Sequence, residues 1–209
     1  MEKDFIQLVR ERLKSDLPGR LAHMEMMSYV RESAEDIRNS VSEYREGAVM
    51  MLLHPQERGW STVLIERNSY EGVHSAQIAF PGGKRDPDDG DLMFTALRET
   101  HEEIGVHGND IEVIGELSEV YIPPSKFVVR PFVGVLKSPP VFIPDPREVA
   151  NVFSWSIDDL LHQHAIKDAT VAVGGDNMKL KVKAFDARGR VVWGATAMML
   201  AEFRLLLQK

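Results

Sequence analysis

Apolar residues along this chain recur with two different periods, and the change from one to the other lays out the elements. Over residues 2–14, Phe5, Ile6, Val9 and Leu13 fall on one helical stripe, which predicts an amphipathic helix broken by Pro18-Gly19. Arg20 to Tyr44 is charged and Met-rich; Ser33 stands as an N-cap for a helix through Val41, and Met24, Met26 and Met27 read as core filler. Strand patterns then take over: the apolar run Gly47–Leu53, a polar loop His54–Gly59, the paired run Ser61–Glu66 and a short strand Ile78–Phe80. Ile111–Ile122 is largely strand-like and closed by Pro123-Pro124. Phe127–Leu136 is a further strand in which Pro131 implies an edge position or a bulge. After Pro-rich punctuation from Pro139 to Pro146, Val149–Trp155 reads as a strand and Ile157–His162 as a short helix. Met178–Phe185 and Arg190–Trp193 form a hairpin pattern, and Thr196–Leu207 a closing amphipathic helix. Strands and helices mix without a βαβ repeat, so the expected class is α/β in the α+β sense, a mixed sheet covered by helices.

The stretch Phe80–Val106, FPGGKRDPDDGDLMFTALRETHEEIGV, stands apart from this background. Pro81-Gly82-Gly83 signals a turn, Asp91 stands as an N-cap, and good helix formers follow until Gly105. Met93, Leu97, Thr100 and Ile104 make one mainly apolar stripe, with Glu99, Glu102 and Glu103 converging on roughly the opposite side. Like charges at that spacing repel, and a divalent cation such as Mg²⁺ or Mn²⁺, which takes oxygen ligands and shares them with phosphates, relieves the repulsion. A Glu pair on a helix is commonly mere solvated surface. Here it stands at fixed offsets from Arg98-Glu99 and Gly105, with Gly82-Gly83 one loop upstream, where backbone can approach a phosphate closely.

Composition narrows the field. The 209 residues are 44% hydrophobic, enough for one domain with a sizeable core. Lys and Arg number 25 against 32 Asp and Glu, a net charge of −7, which argues against a nucleic-acid surface but not against a nucleotide whose phosphates meet metal ions. Cysteine is absent, so disulfides, thiolate metal sites and a Cys nucleophile are excluded. The charged N-terminus lacks the apolar core of a secretory signal, and no apolar run approaches a membrane span. A cytoplasmic enzyme without membrane or nucleic-acid partners is expected, and a homodimer is admitted.

The Phe80–Val106 stretch resembles the Nudix box, whose pattern is G-x5-E-x7-R-E-U-x-E-E-x-G-U with U aliphatic. Arg98, Glu99, Glu102, Glu103, Gly105 and Val106 match position by position. Gly83 lies one residue too far from Arg98, the family's loop Glu falls on Gly90 so that only Asp89 or Asp91 could substitute, and Thr100 replaces an aliphatic residue. The resemblance implies an α/β/α sandwich over residues 1–209, with 1–45 as an N-terminal helical extension and the box at about 83–106. It also implies hydrolysis of a nucleoside diphosphate linked to another moiety, with Mg²⁺ or Mn²⁺ as cofactor. Carried over by position, Glu99 and Glu103 are the principal metal ligands, Glu102 a further ligand or the base, and Arg98 the residue that orients the carboxylates. Glu148, after the Pro-rich loop, is a candidate additional ligand or base.

Upstream, LIERNSYEGVHSAQIAFPGGKRD is similar to the coenzyme A diphosphatase branch of that family. Leu64, Arg67 and Phe80-Pro81-Gly82-Gly83 keep its signature, whereas Ile65, Asn68, Gly72 and Ala76 depart from it. Pro124-Ser125 to Phe132-Val133 and Trp193–Thr196 are also branch-like, so the similarity spans roughly residues 20–205 with gaps. Coenzyme A or an acyl derivative is the implied substrate, with ADP-ribose, nucleotide sugars, dinucleotides or oxidised nucleotides as alternatives. A silent Nudix-like regulator is disfavoured because all three box carboxylates remain. Arg67, Gly82, Gly83 and Lys84 are candidate substrate contacts, and His74 and Arg130 further phosphate candidates on charge.

Overall fold

The computed structural model describes residues 2–40, 43–68, 77–173 and 178–208. Helices α1 (Glu2–Leu13), α2 (Arg20–Met26) and α3 (Ala34–Arg38) come first. Ser33 opens α3 through a capping box with Asp36, but the helix stops at Arg38, short of the expected Val41, which lies outside the described residues. Of the three methionines expected in the core only Met26 is fully buried; Met24 is exposed, because α2 is too short to bury more than one face.

Strand β1 (Arg45–Pro55) is the axis of the sheet. Its run of apolar residues is buried on both sides. Ala48, Met50 and Leu52 belong to one core cluster, Met51 and Leu53 to another. It pairs antiparallel with β2 (Trp60–Arg67) and with the short β4 (Gly82–Lys84), and parallel with β7 (Phe127–Val135). Strands β3 (Ile78–Ala79), β5 (Glu112–Glu116), β6 (Val120–Ile122) and β8 (Val149–Ser156) complete an eight-stranded mixed sheet whose main order is β3-β2-β1-β7-β5. Helix α4 (Leu92–Ile104) covers one face, and α6 (Gly194–Gln208), with α1 and α2 beside it, covers the other. The mixed sheet between helical layers is the expected α/β/α architecture.

Pro131 is not at an edge. β7 is paired on both sides, and the Pro131 carbonyl accepts from Leu117 N at 2.9 Å. Its missing N–H therefore faces the break between β5 and β6, where no ladder bond is lost. Beyond α5 (Ile157–Leu161), a strand unanticipated from the sequence, β9 (Ile166–Val173), joins β10 (Met178–Ala187) and β11 (Arg190–Val192) in a separate three-stranded sheet. No described helix is long and apolar enough to cross a membrane.

Candidate functional site

The site is built where β4 meets α4. Asp91 caps α4 by accepting from Phe94 N at 2.7 Å, and Gly105 ends it in the left-handed region at φ 75°. The helix turns Leu92, Ala96, Thr100 and Ile104 into the core, leaves Met93 exposed, and also buries Glu103. The expected apolar stripe is thus rotated, and Glu103 lies on the covered side rather than opposite it. The reason is the strand above: a Cβ on Gly82 would stand 2.3 Å from the Ala48 carbonyl, and one on Gly83 would stand 2.4 Å from the Glu99 carboxylate carbon. Two glycines let β4 lie against both β1 and the acidic side of α4.

Arg98 is the hub. Its Nε and Nη2 donate to the two oxygens of Asp89 at 2.9 and 3.0 Å, and its Nη1 reaches Glu99 and Glu102, each at 3.0 Å. Nη2 also donates to the Lys84 carbonyl at 3.2 Å. Asp89 is buried and accepts in addition from Thr95 Oγ1 and Asp86 N. The Arg98 guanidinium holds its carboxyl far below the usual carboxylate range, with the Asp86 and Thr95 hydrogen bonds adding to the effect against burial. Asp89 thus meets Arg98 while Asp91 serves the helix terminus. A Cβ at Gly90, the position of the family's loop Glu, would meet nothing within 4 Å.

Glu103, only 1% exposed, accepts from Gly82 N at 2.8 Å and pairs with Arg67 Nη1 at 3.1 Å. Burial pushes its carboxyl up to about 7; Arg67 and the Gly82 N–H oppose that, and the charges of Glu99 and Glu148 add to it. Burial likewise raises Glu99, opposed by Arg98 and reinforced by Glu102 and Glu148. Glu148 is exposed at the entry to β8, 4.0 Å from Arg67 Nη2. Arg67 reaches inward from the end of β2, where the register against β8 shifts between Glu66 and Arg67, and its Nη1 also touches the Gly82 carbonyl at 3.4 Å.

The structure thus gathers Arg67, Gly82, Gly83, Arg98, Glu99, Glu102, Glu103 and Glu148. Lys84 contributes its carbonyl, while its side chain is exposed. Arg130 is engaged elsewhere, with Glu119 at 2.8 Å and Glu116 at 3.9 Å. His74, Gly72 and Ala76 lie outside the described residues. Sequence reasoning passed over Arg85, which pairs with Glu46 at 3.0 Å and reaches the Asp89 and Gly90 carbonyls; its only signal was a second cation beside Lys84.

Among the described residues, no three acidic or imidazole side chains stand as a ready-made metal cage; Arg67 pairs with Glu103, and Arg98 with Glu99 and Glu102. The donor set nevertheless fits a hard divalent cation. It is made of carboxylate oxygens, burial raises both Glu99 and Glu103, and Glu103 Oε1, although 3.1 Å from Arg67 Nη1, is buried without a well-aligned hydrogen bond.

The site is thus a glycine strand laid over an arginine-organised set of carboxylates, on a mixed sheet between helices. The NUDIX domain model matches residues 43–172. A Nudix hydrolase NudL of Yersinia enterocolitica is 31% identical over 138 residues, covering 66% of this chain and 69% of its own. The NudL of Yersinia pestis strain Pestoides F is 30% identical over the same length, covering 66% and 68%. Among solved structures, a MutT/nudix family protein from Enterococcus faecalis superposes with a TM-score of 0.55 at 15% identity, covering 86% of this chain and 71% of that one, a likeness of fold. The chain belongs to the Nudix family, and it is a hydrolase.

Proposed function

We propose that this Nudix hydrolase cleaves the diphosphate of coenzyme A or a short acyl derivative, acting as one domain over residues 1–209 with 1–45 packed on it as a helical extension. The observation that carries the branch is the Phe80-Pro81-Gly82-Gly83 stretch together with Arg67, whose guanidinium bridges the Gly82 carbonyl and Glu103.

In this reading Glu99, Glu102 and Glu103 hold Mg²⁺ or Mn²⁺. When bound, such a cation would supply Lewis acidity toward phosphoryl oxygens and water. The chain's own residues do the rest. Arg98, anchored on Asp89, fixes the rotamers of Glu99 and Glu102 so that neither must be ordered during turnover. Gly82 and Gly83 leave backbone where a phosphate can come close, and Arg67 and Lys84 supply positive charge beside it. The base that takes a proton from water is Glu148 or, where it is not a metal ligand, Glu102; both are exposed. The nucleotide is the partner; membrane and nucleic acid have no role, and the enzyme works in the cytoplasm.

The test is a hydrolysis screen of coenzyme A, dephospho-coenzyme A, ADP-ribose, nucleotide sugars and dinucleotides with each metal. Coenzyme A should give a phosphopantetheine fragment and adenosine 3′,5′-bisphosphate, with a higher kcat/KM than the dephosphorylated form. Cleavage of ADP-ribose without coenzyme A would overturn the branch and leave the family reading intact.

A further inference from the structure

An arginine is seldom taken out of water without an acceptor, since its guanidinium carries five N–H donors and keeps its charge at ordinary pH. Arg31, in the segment between α2 and α3, departs from that rule. It is 9% exposed, and its Nε is buried with no hydrogen-bond partner among the described residues. Its guanidinium carbon lies 4.8 Å from the Tyr29 ring centroid, and its backbone carbonyl accepts from Arg20 Nη2 at 3.3 Å. No ion pair between described residues includes it. Burial holds its guanidinium below the ordinary arginine range, as expected for a cation left without a counter-charge.

Arg31 lines a cavity of about 540 Å³ between α2, α3, α6 and the segment Ser118–Tyr121. The other charges there are mostly spoken for. Arg38 is committed to Glu119 at 2.6 Å and to Glu46 at 3.2 Å, and His23 to Glu202 at 3.1 Å. Arg20 stands 3.8 Å from Asp36, whose carboxylate already accepts from Ser33. Glu32 and Glu35 are exposed at the rim. Met27, Val120, Tyr121 and Met198 supply apolar lining.

We propose that this cavity binds a phosphate group carried on a small organic molecule, with Arg31 receiving phosphoryl oxygens, Arg20 beside it, and Met27, Tyr121 and Met198 against the organic body. Two arginines lining one cavity suit a phosphate dianion better than a single carboxylate. The phosphate has two chemical sources. One is the terminal phosphomonoester of the nucleotide being cleaved. The wall residue Arg38 shares Glu46 with Arg85, and Arg85 reaches the Asp89 and Gly90 carbonyls ahead of α4, so a chain of charged contacts runs from the cavity wall to the box loop. That source rests on the coenzyme A reading. The other is a separate phosphorylated metabolite, which needs no such reading.

The experiment is calorimetric titration of the metal-free protein with inorganic phosphate and with adenosine 3′,5′-bisphosphate, on wild type, Arg31→Met and Arg31→Lys. No turnover is involved, so inactivity on coenzyme A leaves the binding result interpretable. Wild type should bind phosphate at least tenfold more tightly than Arg31→Met, with Arg31→Lys between them. If the substrate is the source, Arg31→Met raises KM for coenzyme A about tenfold and leaves dephospho-coenzyme A unchanged. If a separate metabolite is the source, both substrates are unaffected while phosphate binding is lost. Should the variants fail to fold, phenylglyoxal labelling of Arg31 in wild type reads the same contact, and phosphate should slow it. Phosphate binding equal in wild type and Arg31→Met, no binding by wild type, or labelling of Arg31 that phosphate does not slow would overturn the proposal.

Discussion

Replacing Asp89 with Asn isolates the contact that anchors Arg98, because the two side chains are nearly the same size. Asp89 accepts from Arg98 Nε and Nη2 at 2.9 and 3.0 Å, from Thr95 Oγ1 at 2.8 Å and from Asp86 N at 2.9 Å. Asn has one acceptor oxygen and turns an NH₂ toward the remaining donors. A hydrogen bond to a charged group contributes about 1.5–3 kcal/mol and a neutral one about 1. Arg98 keeps its charge, so Asn leaves one charge-assisted bond where there were two, and with its NH₂ turned toward a donor the exchange costs about 2–3 kcal/mol. The loss is not larger, because Glu99 and Glu102 still partner the guanidinium. At about 2–4 °C per kcal/mol for a chain of this size, the melting temperature should fall by about 4–12 °C. Asp91→Asn is the control: Asn caps a helix about as well as Asp, so the shift should stay within about 2 °C. Thermal unfolding followed by circular dichroism, alongside kcat/KM at saturating Mg²⁺, reads both effects. Asp89→Asn should also lower kcat/KM by at least tenfold, since Arg98 loses the anchor that orients Glu99 and Glu102. The same contact sets the behaviour in acid. Because the folded carboxyl is depressed, its stabilisation is present above the ordinary carboxylate range and is lost as pH falls below it, so variant and wild type should converge in acid. Equal melting temperatures and rates for Asp89→Asn and wild type at neutral pH would refute the anchoring argument.

Other substitutions separate chemistry from scaffold. Glu99→Gln and Glu103→Gln should each remove most turnover while circular dichroism stays native, with a slightly higher melting temperature from relieved repulsion; near-normal rates for both would remove these residues from the metal site. Gly83→Ala places its Cβ against the movable Glu99 carboxylate, whereas Gly82→Ala meets the Ala48 backbone at φ 148°. The first should cut activity with little change in melting temperature, and the second should cost stability as well. Glu202 is fully buried and accepts from Gly19 N, His23 Nε2, Ser118 N and Ser118 Oγ at 2.6–3.1 Å. Glu202→Gln should lower stability by about 2–4 kcal/mol in urea titration without changing kcat, because those donors lose acceptors inside the core. Burial pushes the Glu202 carboxyl up, but hydrogen bonds from His23 and Ser118 outweigh it and hold it low. The gap between variant and wild type should therefore close as pH falls through the carboxylate range.

The elements easiest to read were those whose pattern had one local cause. Asp91 and Gly105 bounded α4 correctly, and the apolar run after Gly47 announced a strand, which the fold buries on both faces. Long-range partners hid the rest. Met93 looked like core at helical spacing, but the phase of α4 is set by β4, so Glu103 is buried and Met93 is not, while Leu97 packs half-buried against the core. Pro131 was compatible with an edge until the break between β5 and β6 supplied a place for its missing donor. β9 alternates weakly, and its pairing with β10 rather than its own composition makes it a strand. At the site, Asp89 could not be told from Asp91 by spacing alone; the fork of Arg98 distinguishes them. The charged chain Arg38–Glu46–Arg85 spans three separate segments and has no linear signature.

The parallel contact between β1 and β7 also bears on how quickly the enzyme can be made. Arg45 lies beside Phe127, and both the glycine strand and the acidic helix sit inside the chain loop those two residues close. Closing a loop of about 80 residues costs entropy before any contact rewards it, so this step should govern the folding rate. Until it is complete, α4 has only part of a sheet to rest on, and the two glycines that admit Glu99 and Glu103 have no fixed neighbour on the far side of β1. Helix content should thus return early in refolding, and hydrolytic activity only with the slow sheet-forming phase. A nascent chain would gain its carboxylate centre no sooner than residue 135 had left the ribosome.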